Sequence, residues 1–435
     1  MQDKSLSDFT SFTGTLRAGE FNIQITFLAR IDNRGEVEFN FAQIPLTKEN
    51  IFIKKHWNND NFLFTLSGQS DDGILFKTEY FQFNSVGHQS SKDCTLLNLA
   101  GFCSKAEFQR DLTKLSPKPV IQMWLKGFQS FRPLTRECQL GTVTMGGKTT
   151  IKDPDTITGF ISVRMDYETD DLLVWRKEAD KLLEHLRRVM SFASATVIQN
   201  PVIEFRSGNK SEVFTFSQTR QAPAFMQTFH FLNYEPIFEA ALNSFFNPPF
   251  KANNLFFAIE WFAMDATYNE VRLVNAMTVL ENLIAANLDD SFALIRPAKE
   301  FEKIKNKLRQ EIKKCLAKWS SEESEKANEI VVELNERLSD LNRRSIFHKI
   351  KALSKSWSVP LDGISDDEIK AAKKARDLIV HRGQYYQEDK EDQEDLWSHV
   401  AVIREVVVRF VLTALGYRGR YISYYGGYHD AHFPP

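Results

Sequence analysis

Cysteine is scarce in this chain: four among 435 residues, Cys94, Cys103, Cys138 and Cys315, with no C-x-x-C pair. They are too few and too scattered to staple a chain of this length, and reduced thiols in the cytoplasm are the expectation. The start, MQDKSLSDFTSFTG, lacks the apolar core of a signal peptide. The longest apolar segment, VVVRFVLTAL, is short and contains Arg409, so no membrane span is expected. There is no Walker loop, dinucleotide fingerprint or nucleophile elbow, and nothing calls for a cofactor. An excess of one charge is missing too. With 55 Lys and Arg against 57 Asp and Glu the net charge is −2, so any grip on nucleic acid has to come from a local patch. Internal repeats and long low-complexity linkers are also lacking.

What is there reads as a folded protein of at least two domains, 43% hydrophobic and 26% charged. The first half alternates with period two: Phe21, Ile23, Ile25 and Phe27, then Val37, Phe39 and Phe41, then Phe62, Phe64 and Leu66. The turn signals DNRG (32–35) and SDDG (70–73) separate these runs, so residues 13 to about 165 are expected to form an antiparallel β domain, sandwich or barrel. A helix is expected near 172–192, followed by a hairpin from Val202–Phe205 to Val213–Phe216 through SGNK.

Beyond NYEPIFEAALNSFF the period becomes helical. Helices are expected over 254–267 and 270–288, along the stripe Phe301, Ile304, Leu308, Ile312, Cys315, Trp319, and along Val331, Leu334, Leu338, Leu341. Ser365-Asp366-Asp367-Glu368 is a capping-box sequence opening another helix, with Gly383 as its stop. The acidic run 388–395 then leads into a last helix carrying Leu396, Val400, Ile403, Val407, Phe410 and Ala414, since anions are favoured at a helix N-terminus. The expected architecture is α+β and multidomain: an N-terminal antiparallel β-rich domain (1–234), then a C-terminal all-α bundle of about five to seven helices (235–435).

The segment KKARDLIVHRGQYY (373–386) sets an apolar turn between Arg376 and His381. At 3.6 residues per turn, Ile369, Ala372, Arg376 and Val380 fall within roughly 80° of one another, so Arg376 is expected on the packing face. A guanidinium there needs an anion. Glu281, set in the stripe Val274, Met277, Ile284, Leu288, is the internal candidate, and the pair on its own has a purely structural reading as an ion pair that fixes two helices in register. His381 lies about 140° around the helix from Arg376, with Asp377 one turn before it and able to orient its ring. From Arg343 to Arg382 ten Lys and Arg face five acids, and Arg343, Arg344, Lys373, Lys374 and Arg382 are candidate phosphate contacts. The tail YRGRYISYYGGYHDAHFPP interleaves aromatics with arginines and is expected to pack across the domain boundary or between subunits. His429 and His432 within it fall short of a metal site.

RDLIVH, together with VLENL, LNRRSIFHKIKALSKSW and ARDLIVHRG, resembles the R-x(4)-H motif and its surroundings in HEPN domains of the ApeA-like anti-phage type, over about residues 250–415. Aspartate stands at 377, where asparagine is frequent in that family. The resemblance implies a C-terminal HEPN bundle and a metal-independent endoribonuclease of abortive infection, with transfer RNA among its common targets. It further implies a homodimer in which paired Arg376 and His381 form one composite site, Asp377 and Glu281 support it, and the β-rich domain senses a phage-derived trigger. In such a dimer one His381 is expected to act as base and the other as acid, roles that imidazole suits. The other function class that the residues allow is a catalytically inactive HEPN module binding RNA, a nucleotide or a protein.

Overall fold

The computed structural model describes residues 6–47, 50–59, 63–90, 95–168, 171–219, 225–264, 266–289, 292, 294–316, 324–386 and 395–435. Phe62, Cys94, Trp319 and residues 388–394 of the acidic run lie outside them. The chain divides into two units, Met1–Asn247 and Pro248–Pro435.

In the first unit the alternating runs become strands β1 (Thr10–Ala18), β2 (Phe21–Ile31), β3 (Val37–Phe41), β4 (Ile44–Pro45), β5 (Phe64–Ser70), β6 (Leu75–Ser90) and β7 (Thr95–Cys103). Antiparallel pairing runs β1–β2–β3–β7–β6–β5 and back to β1, which closes a barrel and leaves β4 on its rim beside β7. Both turn signals form: Asp32 accepts from the amides of Arg34 and Glu36, and Ser70 Oγ accepts from that of Ile74. Phenylalanine fills the interior. Phe12 stacks on Phe27 at 5.4 Å, and Phe81 meets Phe83 edge-on at 4.7 Å. A short helix, α1 (Ile51–His56), buries Phe52 between Phe21 and Phe64.

Strand β8 (Lys105–Lys126) is long enough to carry the sheet from the barrel on to the strands that follow. Its first part pairs with β6, while its last part pairs with β11 (Ile157–Arg164), beyond which lie β10 (Gly141–Gly147) and β9 (Leu134–Cys138). The hairpin expected over 202–216 does not form. Val202–Phe216 is one strand, β12, antiparallel to β8 along its length, with register shifts on both sides of Gly208. Gly208 has φ +60°, so the apparent turn residues make a bulge and the chain runs straight on. Helix α2 (Leu172–Ser194) covers β8 and β11, and α3 (Glu235–Phe246) packs on α2. The division therefore falls after α3, at Asn247, and not at 234/235.

In the second unit the described helices are α4 (Leu255–Ala263), α5 (Asn269–Asn287), α6 (Ala298–Leu316), α7 (Ser324–Arg337), α8 (Ile346–Trp357), α9 (Asp366–Arg382) and α10 (Leu396–Ala414). Helix α10 is central, in contact with α4, α5, α8 and α9, whereas α6 and α7 make their main contact with each other. The four-three spacing of α10 pointed to one apolar face, and all six of its residues are buried. So is nearly every other position, including Arg404, Glu405 and Arg409, because the helix is enclosed on all sides. In the tail, β13 (Gly419–Ser423) and β14 (His429–Phe433) form a hairpin that bonds to α9 and α10.

His185 joins α2 to α3, its Nε2 lying 2.8 Å from the carbonyl oxygen of Ala241 and 3.3 Å from Ser244 Oγ. Burial pushes its pKa down to about 4. Below the unfolded-state value near 6.5 the unfolded chain binds a proton that the folded one refuses, so stability falls as pH drops from about 6.5 towards 4. Melting of the full chain across that window should show a loss on the order of 3 kcal/mol at most, and His185→Gln should flatten the slope.

Candidate functional site

Helix α9 holds the RDLIVH segment and is capped at both ends. Ser365 Oγ accepts from the Glu368 amide at 3.2 Å while the Glu368 carboxylate accepts from the Ser365 amide at 2.7 Å, and Gly383, with φ +79°, ends the helix. Burial works to raise the pKa of Glu368, but its bonds from Ser365 and from Tyr425, 2.9 Å away, outweigh this and lower it. The carboxylate thus stays ionised, where it serves both the capping box and the hairpin.

The packed face differs from expectation. Ile369, Ala372, Ala375 and Ile379 are buried, while Val380 is 51% exposed, a rotation of roughly 50°. Ala372 and Ala375 present no bulk, so the helix approaches its neighbours on the alanine side and Arg376 moves to the flank. There the expected pair forms: Arg376 Nη2 lies 2.8 Å from Glu281 Oε1, bridging α9 and α5, with the two side chains 23% and 38% exposed. Met277 and Ile284 of the α5 stripe are buried, and Val274 and Leu288 are half-buried. Arg376 Nη1 is 3.4 Å from Asp377, while its Nε is buried without a partner.

Asp377 does not bond to His381. Its carboxylate is taken by Lys373, one turn earlier, and by Arg376. Lysine at i−4 is within reach along the helix and carries the opposite charge. His381 is exposed, with no hydrogen bond or ion pair among the described residues. Within one chain the structure thus brings together Glu281, Arg376, Asp377 and Lys373, and leaves His381, Val380 and Arg382 facing solvent.

Several of the candidate phosphate contacts are engaged locally. Arg343 pairs with Asp340 at 3.4 Å, and Arg344 Nε donates to the Leu294 carbonyl at 3.0 Å. Beside it Asn342 bonds to both the amide and the carbonyl of Arg296, so LNRR fastens the 294–296 loop. Lys351 and Lys370 meet Asp366 and Asp367. Lys349, Lys355, Lys374 and Arg382 form no ion pair among the described residues.

Spacing gave little warning of the buried polar cluster on α10. Glu405, 3% exposed, accepts from Tyr421, from Ser423 at 2.8 Å and from Arg409 at 2.9 Å. Arg409 also donates to the carbonyls of Pro360 and Asp362, at 3.3 and 2.7 Å. Its neighbour Arg404 lies over Phe262 at 4.2 Å, and burial lowers its pKa to about 10. The available signal was a Glu and an Arg four apart in an otherwise apolar run. Cys103, Cys138 and Cys315 are free, and burial pushes the Cys103 thiol up to about 12. No group of three or more His, Cys, Asp or Glu able to hold a metal occurs among the described residues, His429 and His432 included.

Compared with models of known protein families, with curated proteins and with solved structures, the chain matches none. No helix among the described residues is long and apolar enough to cross a membrane.

The geometry separates two substitutions. Glu281→Ala leaves the half-buried Arg376 guanidinium with Asp377 alone and should cost about 1 kcal/mol, read as a drop of a few degrees in Tm. His381→Ala, at an exposed and unbonded position, should leave Tm unchanged to within about 1 °C.

Proposed function

We propose that the chain is a cytoplasmic, metal-independent endoribonuclease of anti-phage defence, a HEPN-type enzyme acting as a homodimer. The observation that carries this reading is the setting of His381. It forms no hydrogen bond or ion pair among the described residues, and it stands at the end of a helix fixed by caps at both ends, five residues from an arginine that Glu281 holds in place. A surface histidine and a positioned arginine make half a catalytic set. A second copy related by a two-fold axis through this segment completes it, and the exposed Val380 supplies apolar surface for the contact.

In that dimer one His381 takes the 2′-hydroxyl proton and the other protonates the leaving 5′-oxygen. The Arg376 pair holds the phosphate through the N–H groups that Glu281 leaves over. Lys374 and Arg382, which form no ion pair among the described residues, lie beside the site in sequence and serve as backbone contacts. Asp377, bonded to Arg376 and Lys373, supports the arginine and not the histidine. The β-rich unit is the sensing part, responding to a phage-derived trigger, and RNA, transfer RNA among it, is the substrate class.

A second reading is favoured by the same Glu281–Arg376 pair: an arginine already neutralised is what a catalytically silent HEPN interaction module would keep for structure alone.

RNA incubated with the full chain in EDTA separates the two. The enzyme reading expects new 2′,3′-cyclic phosphate and 5′-hydroxyl ends, at least 100-fold fewer with His381→Ala or Arg376→Ala, as in the loss of a general acid–base group. The activity should also fall on dilution as the dimer dissociates. An absolute Mg²⁺ requirement with 3′-hydroxyl products, or RNA left intact by extracts of phage-challenged and unchallenged cells alike, overturns it.

A further inference from the structure

Helix α6 (Ala298–Leu316) sorts its side chains by charge as well as by polarity. At about 100° per residue, Lys299, Lys303, Lys307 and Lys313 fall within roughly 120° of one another, and Asn306, Gln310 and Lys314 are the other residues of that sector. All seven are exposed, and neither an acid nor an apolar side chain stands among them. Phe301, Leu308 and Ile312 lie on the opposite side, half-buried, and α7 is the main neighbour of the helix.

The three acids of α6 are engaged elsewhere. Glu302 lies 3.9 Å from Lys305 and 3.6 Å from Arg309, Glu300 lies 3.9 Å from Arg296, and Glu311 lies 2.7 Å from Lys314. Lys299, Lys303, Lys307 and Lys313 form no hydrogen bond or ion pair among the described residues. A helix face kept charged for solubility alone mixes the two signs at i,i+4 spacing, whereas this sector carries one sign only. The helix is also held in place at its start and along its flank. The Ile295 amide bonds to Asn342 O at 2.8 Å, the Arg296 amide to Asn342 Oδ1 at 2.9 Å, and Lys305 Nζ donates to Ser339 Oγ at 2.7 Å. The four ammonium groups are therefore carried on a fixed rod, with about 21 Å between the first and last Cα and roughly 6 Å between 299, 303 and 307.

The chemistry of a partner follows from what the face has and what it lacks. A repeated cation calls for a repeated anion. A protein partner would need an apolar centre, and lysine is depleted from such interfaces. A bilayer would need the apolar stripe to enter it between basic flanks, whereas here that stripe is half-buried on the side away from the lysines. A strand of phosphates needs neither. With no aromatic side chain in the sector, bases have nothing to stack on and their sequence goes unread.

We propose that the lysine face of α6 binds the phosphate backbone of nucleic acid, without regard to sequence. The proposal does not depend on the roles of Arg376 and His381, since a chain that cuts no RNA would still bind it here.

The test measures fluorescence anisotropy with the full chain and a labelled 2′-O-methyl RNA, which lacks the hydroxyl that the proposed cleavage needs, beside DNA of the same sequence. Strands of about 20 nucleotides exceed the roughly six phosphates that 21 Å spans at 3.4 Å each. Four lysines at about −0.7 each predict a slope near −3 for log K against log salt, so binding should weaken on the order of 50-fold between 50 and 200 mM salt. Replacing Lys299, Lys303, Lys307 and Lys313 together by Gln, a good helix former, should remove most of that slope and weaken binding at least about tenfold at the lower salt. The same loss of charge in the other unit, at the exposed Lys54, Lys55, Lys148 and Lys152, should change Kd by less than about twofold. Should the fourfold α6 variant fail to fold, Lys303→Gln alone should still lower the slope by about 0.7. Absence of binding at the lower salt, equal loss in the two fourfold variants, a tenfold preference for one of two mixed sequences, or tighter binding of anionic vesicles or polyglutamate would overturn the proposal. So would binding that survives in the α6 variant and is lost in Lys374→Gln/Arg382→Gln, a result that would leave the enzyme reading standing.

Discussion

Glu405 is a carboxylate almost wholly removed from water, and the helical unit is arranged around keeping it bonded. An isolated charge in such a place is prohibitively costly, and three donors from two parts of the chain are brought to it: Arg409 from its own helix, Tyr421 and Ser423 from the terminal hairpin. Arg409 in turn takes up the carbonyls of Pro360 and Asp362 just ahead of α9. The central helix, the hairpin and the approach to α9 therefore share one polar cluster. Tyr425 extends it to Glu368 in the capping box, so the start of the helix that carries Arg376 and His381 is tied to the core of its unit.

Local chemistry was legible in the sequence wherever one short stretch decides the outcome. The capping box at Ser365, the left-handed stop at Gly383, the turns at Asp32 and Ser70 and the alternating phenylalanines of the barrel all follow from residue types at fixed spacing. So did the partnership of Glu281 and Arg376, since a carboxylate and a guanidinium set in apolar stripes have few ways to be satisfied. What failed depends on non-local packing. Gly208 looks the same in a hairpin turn and in a bulge, and only the length of β8 opposite decides which it is. The rotation of α9 comes from Ala372 and Ala375, whose small size draws the helix inward, a choice invisible to a reading that weights large apolar residues. The bond from Tyr421 to Glu405 was not legible either, because the sequence shows Glu405 only as one acid in an apolar run.

The site itself shows the same division. Arg376 is placed by a long-range ion pair, Asp377 is diverted by a lysine one turn away, and His381 is left unengaged among the described residues. A helix surface alone would allow Asp377 to reach either Lys373 or His381, and the competition between them goes to the opposite charge. The consequence is chemical: with no carboxylate bonded to it among the described residues, the imidazole of His381 keeps either tautomer open to it.

Strand β8 has a consequence for how the chain is made. Its partner along most of its length, β12, emerges from the ribosome only when residues 202–216 do, although β8 itself ends at Lys126. Through most of that interval a strand of 22 residues waits with one edge unpaired, the kind of edge that invites pairing with another chain. The first unit is thus expected to remain dependent on chaperones, and sensitive to translation speed, over the stretch between those two strands, even though the finished barrel leaves no free edge between its own strands.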